Sequence, residues 1–391
     1  MGAEPLARPV RLRTVAFQWT RIGLTGFGGP PAHIGMLRRL VVTDRRGMEA
    51  REFEDAIAAC NLLPGPASTQ LAIFCAQRVG APLAALVGGL GFIVPAVVMI
   101  ITLSALFLAQ APPAWIRGAG AGAGAAVAAV AVQAGVGLLK PSWSRIAGVR
   151  ARQVRWVVYV ALGAGAAAAI GPYLVLILLG CGLLELAIRL RAHAELPSVA
   201  AVWFLPLVAV TAMGGLASLA WVAFKVGALS YGGGFVIVPL MQGDAVHTYH
   251  WMSSTQFLNA VALGQVTPGP VVATVASVGY AADGVGGGVL AALIAFAPSF
   301  AFVLLGGRHF ERLRHSAQAQ AFLGGAGPAA IGAILGSTVP LAGALRETWQ
   351  FLVLAAAAVV LLALRRGIVL TLVGAGLVGA VVGVTGGPLP R

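Results

Sequence analysis

Residues 61–69 read NLLPGPAST, and residues 265–273 read QVTPGPVVA. A shift of 204 residues superimposes the two Pro-Gly-Pro triplets, and at the same register residues 27–30 (FGGP) fall on residues 231–234 (YGGG). Similarity at one fixed offset indicates an internal duplication. The sequence therefore predicts two homologous halves, residues 14–190 and 219–386, joined by a linker at residues 191–218.

The composition around these motifs is typical of a protein embedded in a bilayer. Hydrophobic residues make up 59% of the chain and charged residues 10%, with a mean hydropathy of +0.91, and a water-soluble domain needs more charge at its surface. Apolar stretches with at most one charged residue each, close to the length of a membrane span, lie at 81–110, 114–139, 156–171, 172–188, 199–217, 284–307, 320–345, 349–364 and 367–384. They predict an all-α polytopic membrane protein.

The charge and the reactive residues exclude other classes. The net charge of +14 comes from basic residues between apolar stretches, which is typical of cytoplasmic loops and indicates no nucleic-acid partner. Cys60, Cys75 and Cys181 have no CxxC or histidine spacing, so we predict small core residues, no metal and no cofactor. The six histidines form no HxxxH or HxxE cluster, which argues against a membrane-embedded enzyme.

The arginine distribution predicts that the halves have opposite orientations. The loop joining the first two segments of the first half holds five arginines between residues 38 and 51, whereas the equivalent loop at 242–255 has no lysine or arginine. The linker contains one extra apolar segment, 199–217, which inverts the second half if each half crosses the membrane an even number of times. We predict a cytoplasmic N-terminus, an external C-terminus and a location in the inner (plasma) membrane.

The glycine- and proline-rich motifs interrupt segments that are otherwise helical. If residues 14–42 and 53–79 each crossed the membrane fully, the arginine loop would lie outside, against the bias of the other basic clusters. We prefer re-entrant hairpins of two half-helices, because non-helical backbone is tolerated at membrane depth where protein or water covers it.

These broken helices predict an anion site near the membrane midplane. A half-helix that begins after Pro31 or Pro66 presents unpaired amides and the positive end of its dipole. Two such ends at the interface of inverted repeats form a site for an anion without a charged side chain. The alternative is that glycine and proline only permit close helix packing and kinks.

Side chains near the breaks also suit an oxyanion. Arg21 falls on Lys225 at the same offset, while the nearest carboxylates do not repeat, so a diffusible anion is the more economical partner; snorkelling to the interface is the alternative. The predicted substrate-binding residues are Arg21, Phe27, Gly28, Gly29, Pro30, Pro31, Asn61, Pro64, Gly65, Pro66, Ser68, Thr69, Lys225, Ser230, Tyr231, Gly232, Gly233, Gly234, Gln265, Thr267, Pro268, Gly269 and Pro270.

Three further residues are candidates for a proton relay. His33 follows the first break, and Glu54 and Asp55 enter the second segment. Because Asp55 falls on Asn259 at the repeat offset, that carboxylate is not duplicated. For the two acidic residues, a solvated face beside the arginine loop is the alternative.

At these residues the sequence resembles the chromate ion transporter family, in its long two-domain form. The matching features are residues 27–30, 61–66, 230–234 and 265–270, and the likeness covers nearly the whole chain. The resemblance implies an inner-membrane exporter of chromate that confers chromate resistance, driven by the membrane potential or the proton motive force, with sulfate as a competing analogue. The residues alone indicate only an oxyanion-sized anion; they leave open an oxyanion importer, a passive anion channel and a homodimer.

Overall fold

The computed structural model describes residues 10–45, 47–61, 65–80, 82–109, 111–146, 148–169, 174–193, 215–230, 235–306 and 316–390. Throughout these ranges the regular structure is helical and contains no strand, which confirms the predicted all-α class. Most of the predicted linker helix at 199–217 lies outside the described residues.

The first half contains four short helices followed by four long ones. The second of them continues as a π-helix, Arg39–Asp44. The helices are α1 Leu12–Thr25, α2 Pro30–Arg38, α3 Ala50–Cys60, α4 Ala67–Gly80, α5 Pro82–Phe107, α6 Ala114–Ser144, α7 Arg150–Ala169 and α8 Leu174–His193.

The second half repeats this order. Its helices are α9 Leu216–Leu229, α10 Ile237–Gln242 with the π-helix Gly243–Thr248, α11 Ser254–Val266, the 3₁₀ helix Val271–Thr274, α12 Val275–Gly306, α13 Ala317–Gly336, α14 Thr338–Gly343, α15 Thr348–Ala358 with the π-helix Val359–Ala363, and α16 Ile368–Val384. Helices α1 and α9 start and end 204 residues apart, as do the first two π-helices. The backbone of α12 leaves helical geometry at Asp283 and Gly284, where the first half passes from α4 to α5.

Several helices have the length and composition of membrane spans. Among the described residues, four are long and apolar enough to cross a bilayer: Pro82–Phe107, Ala114–Ser144, Val271–Gly306 and Ala317–Gly343. Shorter apolar helices lie at Leu216–Leu229, Thr348–Ala363 and Ile368–Val384.

The ends of the short helices of the first half lie close together. The N–H of Val10, just before α1, donates to the carbonyl of Val79 at the end of α4 (2.9 Å). A Cβ added to Gly47, in the loop after α2, would lie 3.1 Å from Cγ1 of the same Val79. The start of α1, the loop between α2 and α3 and the end of α4 therefore lie together.

Equivalent long helices of the two halves run antiparallel. A Cβ on Gly288 of α12 would lie 3.1 Å from the side chain of Ile101 in α5, and a Cβ on Gly89 of α5 would lie 2.5 Å from the ring of Phe300 in α12. Residue numbers rise along one helix where they fall along the other. Helix α5 and the second part of α12, residues 285–306, therefore point in opposite directions.

The last helices of each half pack on the other half. A Cβ added to Gly118 of α6 would lie 2.1 Å from the carbonyl oxygen of Gly379 in α16, and one added to Gly332 of α13 would lie 1.9 Å from that of Val160 in α7. Small residues at such crossings let the backbones approach closely. Helix α16 thus covers α6, while α7 and α8 cover α13.

Candidate functional site

Each Pro-Gly-Pro motif is joined to the helix break of the opposite half by one backbone hydrogen bond. The N–H of Gly65 donates to the carbonyl of Ser230 (3.1 Å), and the N–H of Gly269 donates to the carbonyl of Gly26 (3.2 Å). The two donors are 204 residues apart in the sequence, and so are the two acceptors, so the two bonds occupy equivalent positions in the duplication. Both glycines have positive φ, 114° and 101°, which residues with a side chain rarely adopt.

Both junctions lie beside the middles of long helices. A Cβ on Gly269 would lie 2.7 Å from that of Ala96, near the centre of α5, and a Cβ on Gly65 would lie 3.5 Å from Ser299 Oγ, in the middle of residues 285–306. Both junctions therefore lie at the level of the centres of these long helices.

The junctions differ in polarity. Around Gly65 the nearest side-chain atoms are polar, with Gln70 Nε2 2.6 Å and Ser299 Oγ 3.5 Å from an added Cβ. Around Gly269 the nearest side chain is the methyl group of Ala96. We call the polar one the Gly65 junction, formed by Gly65, Thr69, Gln70, Ser230 and Ser299.

Three of these residues have buried hydroxyl groups. Thr69 Oγ1, Ser230 Oγ and Ser299 Oγ have no hydrogen-bond partner within the described ranges. A hydroxyl rotates to donate where an acceptor is present. At the repeat offset Thr69 and Ser230 fall on Ala273 and Gly26, so the second junction lacks these groups.

Helix α4 adds backbone donors to the Gly65 junction. Its first bonds run from the N–H groups of Thr69 and Gln70 to the carbonyl of Pro66 (2.9 and 3.0 Å). The amides of Ala67 and Ser68 precede these bonds, and the first amides of a helix have no partner inside it. The prediction of a helix that opens with free amides after Pro66 therefore agrees with the geometry.

Helix α2 does not match that prediction. It begins with Pro30 and Pro31, neither of which has a backbone N–H, and the next two amides, of Ala32 and His33, bond to the carbonyl of Gly29 (3.1 and 3.2 Å). The expectation of unpaired amides after Pro31 is wrong, because two prolines occupy the positions that would carry them. Phe27, before this break, is exposed.

His33 supports the first break. Its Nε2 lies 2.8 Å from the carbonyl oxygen of Gly26, and since a carbonyl only accepts, this nitrogen carries the hydrogen. The ring is fully buried and packs edge-on against Phe92, with 5.0 Å between centroids. Gly26 thus accepts bonds from both His33 and Gly269. A proton-relay role for His33 stays a prediction.

The two acidic relay candidates lie beside the arginine loop. Glu54 pairs with Arg38 at 3.4 Å, and both side chains are at least half exposed; such a pair contributes little to stability. Asp55 is half-buried on the same helix, and its neighbour Glu52 pairs with Arg78. This arrangement agrees with the solvated-face alternative.

The two cations that repeat between the halves have different surroundings. Lys225 Nζ lies 2.5 Å from Asp244 Oδ2, and these side chains are only 8% and 6% exposed. From the sequence, Lys225 is predicted to bind a diffusible anion because no carboxylate is expected beside it. This prediction is corrected, because the chain folds back after α9 and brings Asp244 next to Lys225. Asp244 falls on Leu40 at the repeat offset, and Arg21 lies exposed on α1.

The second Pro-Gly-Pro motif is buried throughout. Nearby, Thr267 Oγ1 donates to the carbonyl of Leu263 (2.9 Å), whereas Gln265 Nε2 is buried without a partner in the described part of the chain. Among the other predicted residues, Pro64, Tyr231, Gly232, Gly233 and Gly234 lie outside the described residues.

A cavity of about 840 Å³ leads from the surface to the Gly65 junction. One end is lined by Cys60, Asn61, Gly65 and Ala67 from the first half and by Val236 from the second. Its walls come from α6, α7, α8 and α13. The predicted residues Asn61 and Gly65 are therefore reached from outside the protein.

Sequence reasoning missed Ser299 and Gln70. Ser299 stands alone among the apolar residues of 285–306, falls on Pro95 at the repeat offset and is remote from every motif. Gln70 follows the Pro-Gly-Pro motif by one helical turn, and that spacing was the available signal.

A duplicated helical membrane protein, whose broken helices meet at the end of a cavity, has the architecture of a membrane transport protein. The model of the chromate transporter family matches residues 13–186 and again residues 217–380. The chain belongs to this family, which consists of transporters and not of enzymes, and the resemblance found in the motifs is confirmed.

Characterised relatives match over most of their length. The chromate transport protein of Cupriavidus metallidurans is 30% identical over 87% of this chain and 85% of its own. That of Pseudomonas aeruginosa is also 30% identical, over 87% and 83%. The probable chromate transport protein of Synechococcus elongatus is 26% identical over 84% of each chain. No solved structure matches the chain.

Proposed function

We propose that this protein transports chromate or a similar tetrahedral oxyanion, and that the anion binds at the Gly65 junction. The observation that carries this proposal is the group of buried, unpartnered hydroxyls of Thr69, Ser230 and Ser299 in the junction of Gly65, a residue that lines the cavity. Hydroxyl and amide donors bind a charged oxygen more strongly than a neutral one. The names of the relatives supply the choice of chromate.

The two halves have opposite orientations in this proposal. Support comes from α5 and residues 285–306, which are equivalent, long enough to cross the bilayer and antiparallel. Equivalent spans that point in opposite directions are related by an axis in the membrane plane, as in inverted-repeat transporters. The first four helices form two re-entrant hairpins, supported by the contacts of Val10 and Gly47 with Val79.

The end of the protein near Val79 faces the cytoplasm. The loop after α2 carries the arginine cluster, and the same end holds Arg78. The opposite end gathers the start of α6 and the end of the chain, where Arg117 donates to the carbonyl of Pro390 (3.5 Å). Arginine and lysine are enriched on the cytoplasmic side of membrane proteins.

Transport runs outward in this proposal. Moving one elementary charge across 100 mV changes its free energy by about 2.3 kcal/mol. The export of a dianion from a negative interior is therefore favourable by about 4.6 kcal/mol per 100 mV. Export can then run on the potential alone, whereas import needs a cotransported cation.

Reconstitution in proteoliposomes tests both the substrate and the direction. We expect saturable chromate flux that rises with the potential, and loss of about tenfold, roughly 1.4 kcal/mol, in the Ser230→Ala/Ser299→Ala variant. Ser218→Ala is the matched control, because the Ser218 hydroxyl already donates to the carbonyl of Gly215 (2.7 Å).

Other outcomes would assign a different function. Flux linear in chromate concentration would indicate a channel. Flux that persists without a potential and stops when the pH gradient collapses would exclude electrogenic export. Equal rates for the double variant and the wild type would remove the hydroxyls from the site.

A further inference from the structure

We infer that Arg145, Arg152 and Arg189 form a capture site that binds the oxyanion at the mouth of the cavity, before it reaches the Gly65 junction. This inference rests on the proposed function, and it assigns a second, separate anion site to the protein. Its ligand is a tetrahedral dianion held by guanidinium groups rather than by hydroxyls.

The three arginines converge from different helices. Arg145 follows the end of α6, Arg152 lies in the first turn of α7, and Arg189 lies in the last turn of α8. Arg145 and Arg152 are exposed, whereas Gly65 at the other end of the cavity is buried. The arginines therefore mark the mouth of the cavity and Gly65 its floor.

The charge at this mouth is positive overall, because the one carboxylate paired with these arginines, Glu185 behind Arg189, is shared with Arg155. The lining within the described residues includes these three arginines and no carboxylate. A cleft lined by one sign of charge with apolar walls concentrates the field and raises the local concentration of the opposite ion. Guanidinium groups also match the oxygens of a tetrahedral anion with paired N–H donors.

Arg189 is held in place from behind. Its Nε donates to Glu185 Oε1 (2.8 Å), and Glu185 is buried and also accepts from Arg155 Nε (2.7 Å) and the Tyr159 hydroxyl (3.2 Å). Among the described residues the terminal nitrogens of Arg189 have no hydrogen-bond partner, which leaves them for a ligand. Glu185 is a positioning residue in this arrangement.

The helix opposite leaves room for this guanidinium. Arg189 Nη2 lies 2.7 Å from the position that a Cβ on Gly324 would take, and Gly324 itself lines the cavity. A side chain at residue 324 would therefore displace Arg189 from the mouth.

The capture site belongs to one half only. In the second half the loop between α14 and α15, residues 344–347, holds Arg346 beside Glu347, and the first turn of α15 has no arginine. The duplication therefore supplies no equivalent pair of arginines at the opposite end. Capture from the side that bears the arginines is stronger than capture from the other side, in keeping with transport in one direction.

The local potential can be measured without transport. Ala58 is half-buried and lines the cavity, as does native Cys60, whereas Cys75 and Cys181 are buried and not part of the lining. In the Cys60→Ser/Ala58→Cys variant, the reaction rates with a negatively charged and a positively charged methanethiosulfonate are compared, each relative to a free small thiol. Leu323→Cys provides a second reporter on α13, should Ala58→Cys fold poorly.

We expect the anionic reagent to be favoured, and the preference to fall at least about threefold in Arg145→Gln/Arg152→Gln. Lys140→Gln/Arg150→Gln is the control, because these exposed residues belong to the same two helices and are not part of the lining. A preference that is absent, or that falls equally in both double variants, would overturn the inference.

A transport assay separates this inference from the proposed function. With chromate supplied on the side of the arginines, we expect Arg145→Gln/Arg152→Gln to raise the half-saturating concentration about fivefold and to weaken its dependence on salt, with the maximal rate retained. Wild-type protein that carries no chromate would refute the proposed function. Wild-type transport with an unchanged half-saturating concentration in the variant would refute the capture site alone.

Discussion

Gly65 and Gly269 have the same role in opposite halves: each has positive φ, and each donates its N–H to a carbonyl of the other half. Their neighbours are different. An added methyl group would meet the flexible end of Gln70 at residue 65, but the Cβ of Ala96, close to the α5 backbone, at residue 269.

Replacing each of these two glycines with alanine should therefore have a different effect, one mainly on folding and the other mainly on transport. Positive φ costs an alanine about 1–2 kcal/mol at either position. We expect Gly269→Ala to lower the yield of monodisperse protein in size-exclusion chromatography. Gly65→Ala should retain more folded protein and lose chromate transport, because the methyl group enters the polar junction.

The control is Gly374→Ala, since Gly374 is exposed on α16 and an added Cβ there meets no atom within 4 Å. Normal transport by a well-folded Gly65→Ala variant would contradict the placement of the anion site at this junction.

The ion pair between Lys225 and Asp244 should be visible as an interaction free energy. Removing one partner leaves a buried charge unpaired, which costs about 3–5 kcal/mol, whereas removing both avoids that cost. We expect Lys225→Gln and Asp244→Asn each to lower the thermal unfolding temperature in detergent more than the double variant does. Additive effects of the two substitutions would show that the pair does not hold α9 to α10.

Arg21 should respond differently from Lys225, although the two residues are equivalent in the duplication. Arg21 is exposed on α1, and glutamine is tolerated where a long cation only reaches the membrane interface. We expect Arg21→Gln to insert normally and to transport chromate within about twofold of the wild type. A tenfold loss with normal insertion would return Arg21 to the substrate pathway.

Opposite orientation of the halves predicts opposite labelling. The first two π-helices end at Asp44 and Thr248, and Arg45 and His247 lie at these equivalent ends. The described native cysteines are all buried, so Arg45→Cys and His247→Cys can be labelled selectively with an impermeant maleimide. We expect Arg45→Cys to react from the cytoplasmic side and His247→Cys from the external side. Reaction from one side would exclude the inverted arrangement.

The helix breaks could be predicted from sequence because glycine and proline act locally. Helix α2 begins at Pro30 and α4 directly after Pro66, since proline suits the first turn of a helix and a preceding glycine allows the turn. The family could be predicted for the same reason, because its motifs are these breaks.

Long-range contacts could not be predicted in the same way. The pairing of Lys225 with Asp244 depends on how closely α10 returns along α9, and the part of Ser299 depends on which helix faces Gly65. Neither relation leaves a periodic or spacing signal in one sequence. Nor does the sequence of α6 indicate that its glycine-lined face packs against α16.

The packing of the last helices of each half on the other half affects how the protein is synthesised. Helix α6 ends at residue 144, and its glycine-lined face packs against α16, which ends at residue 384. That face is therefore uncovered until α16 has been synthesised. At bacterial and eukaryotic elongation rates of about 5–20 residues per second, this delay is on the order of 10–50 s. During that time the first half has a surface shaped for a helix not yet synthesised, so a nascent chain released before α16 lacks the helix that covers α6 in the described structure.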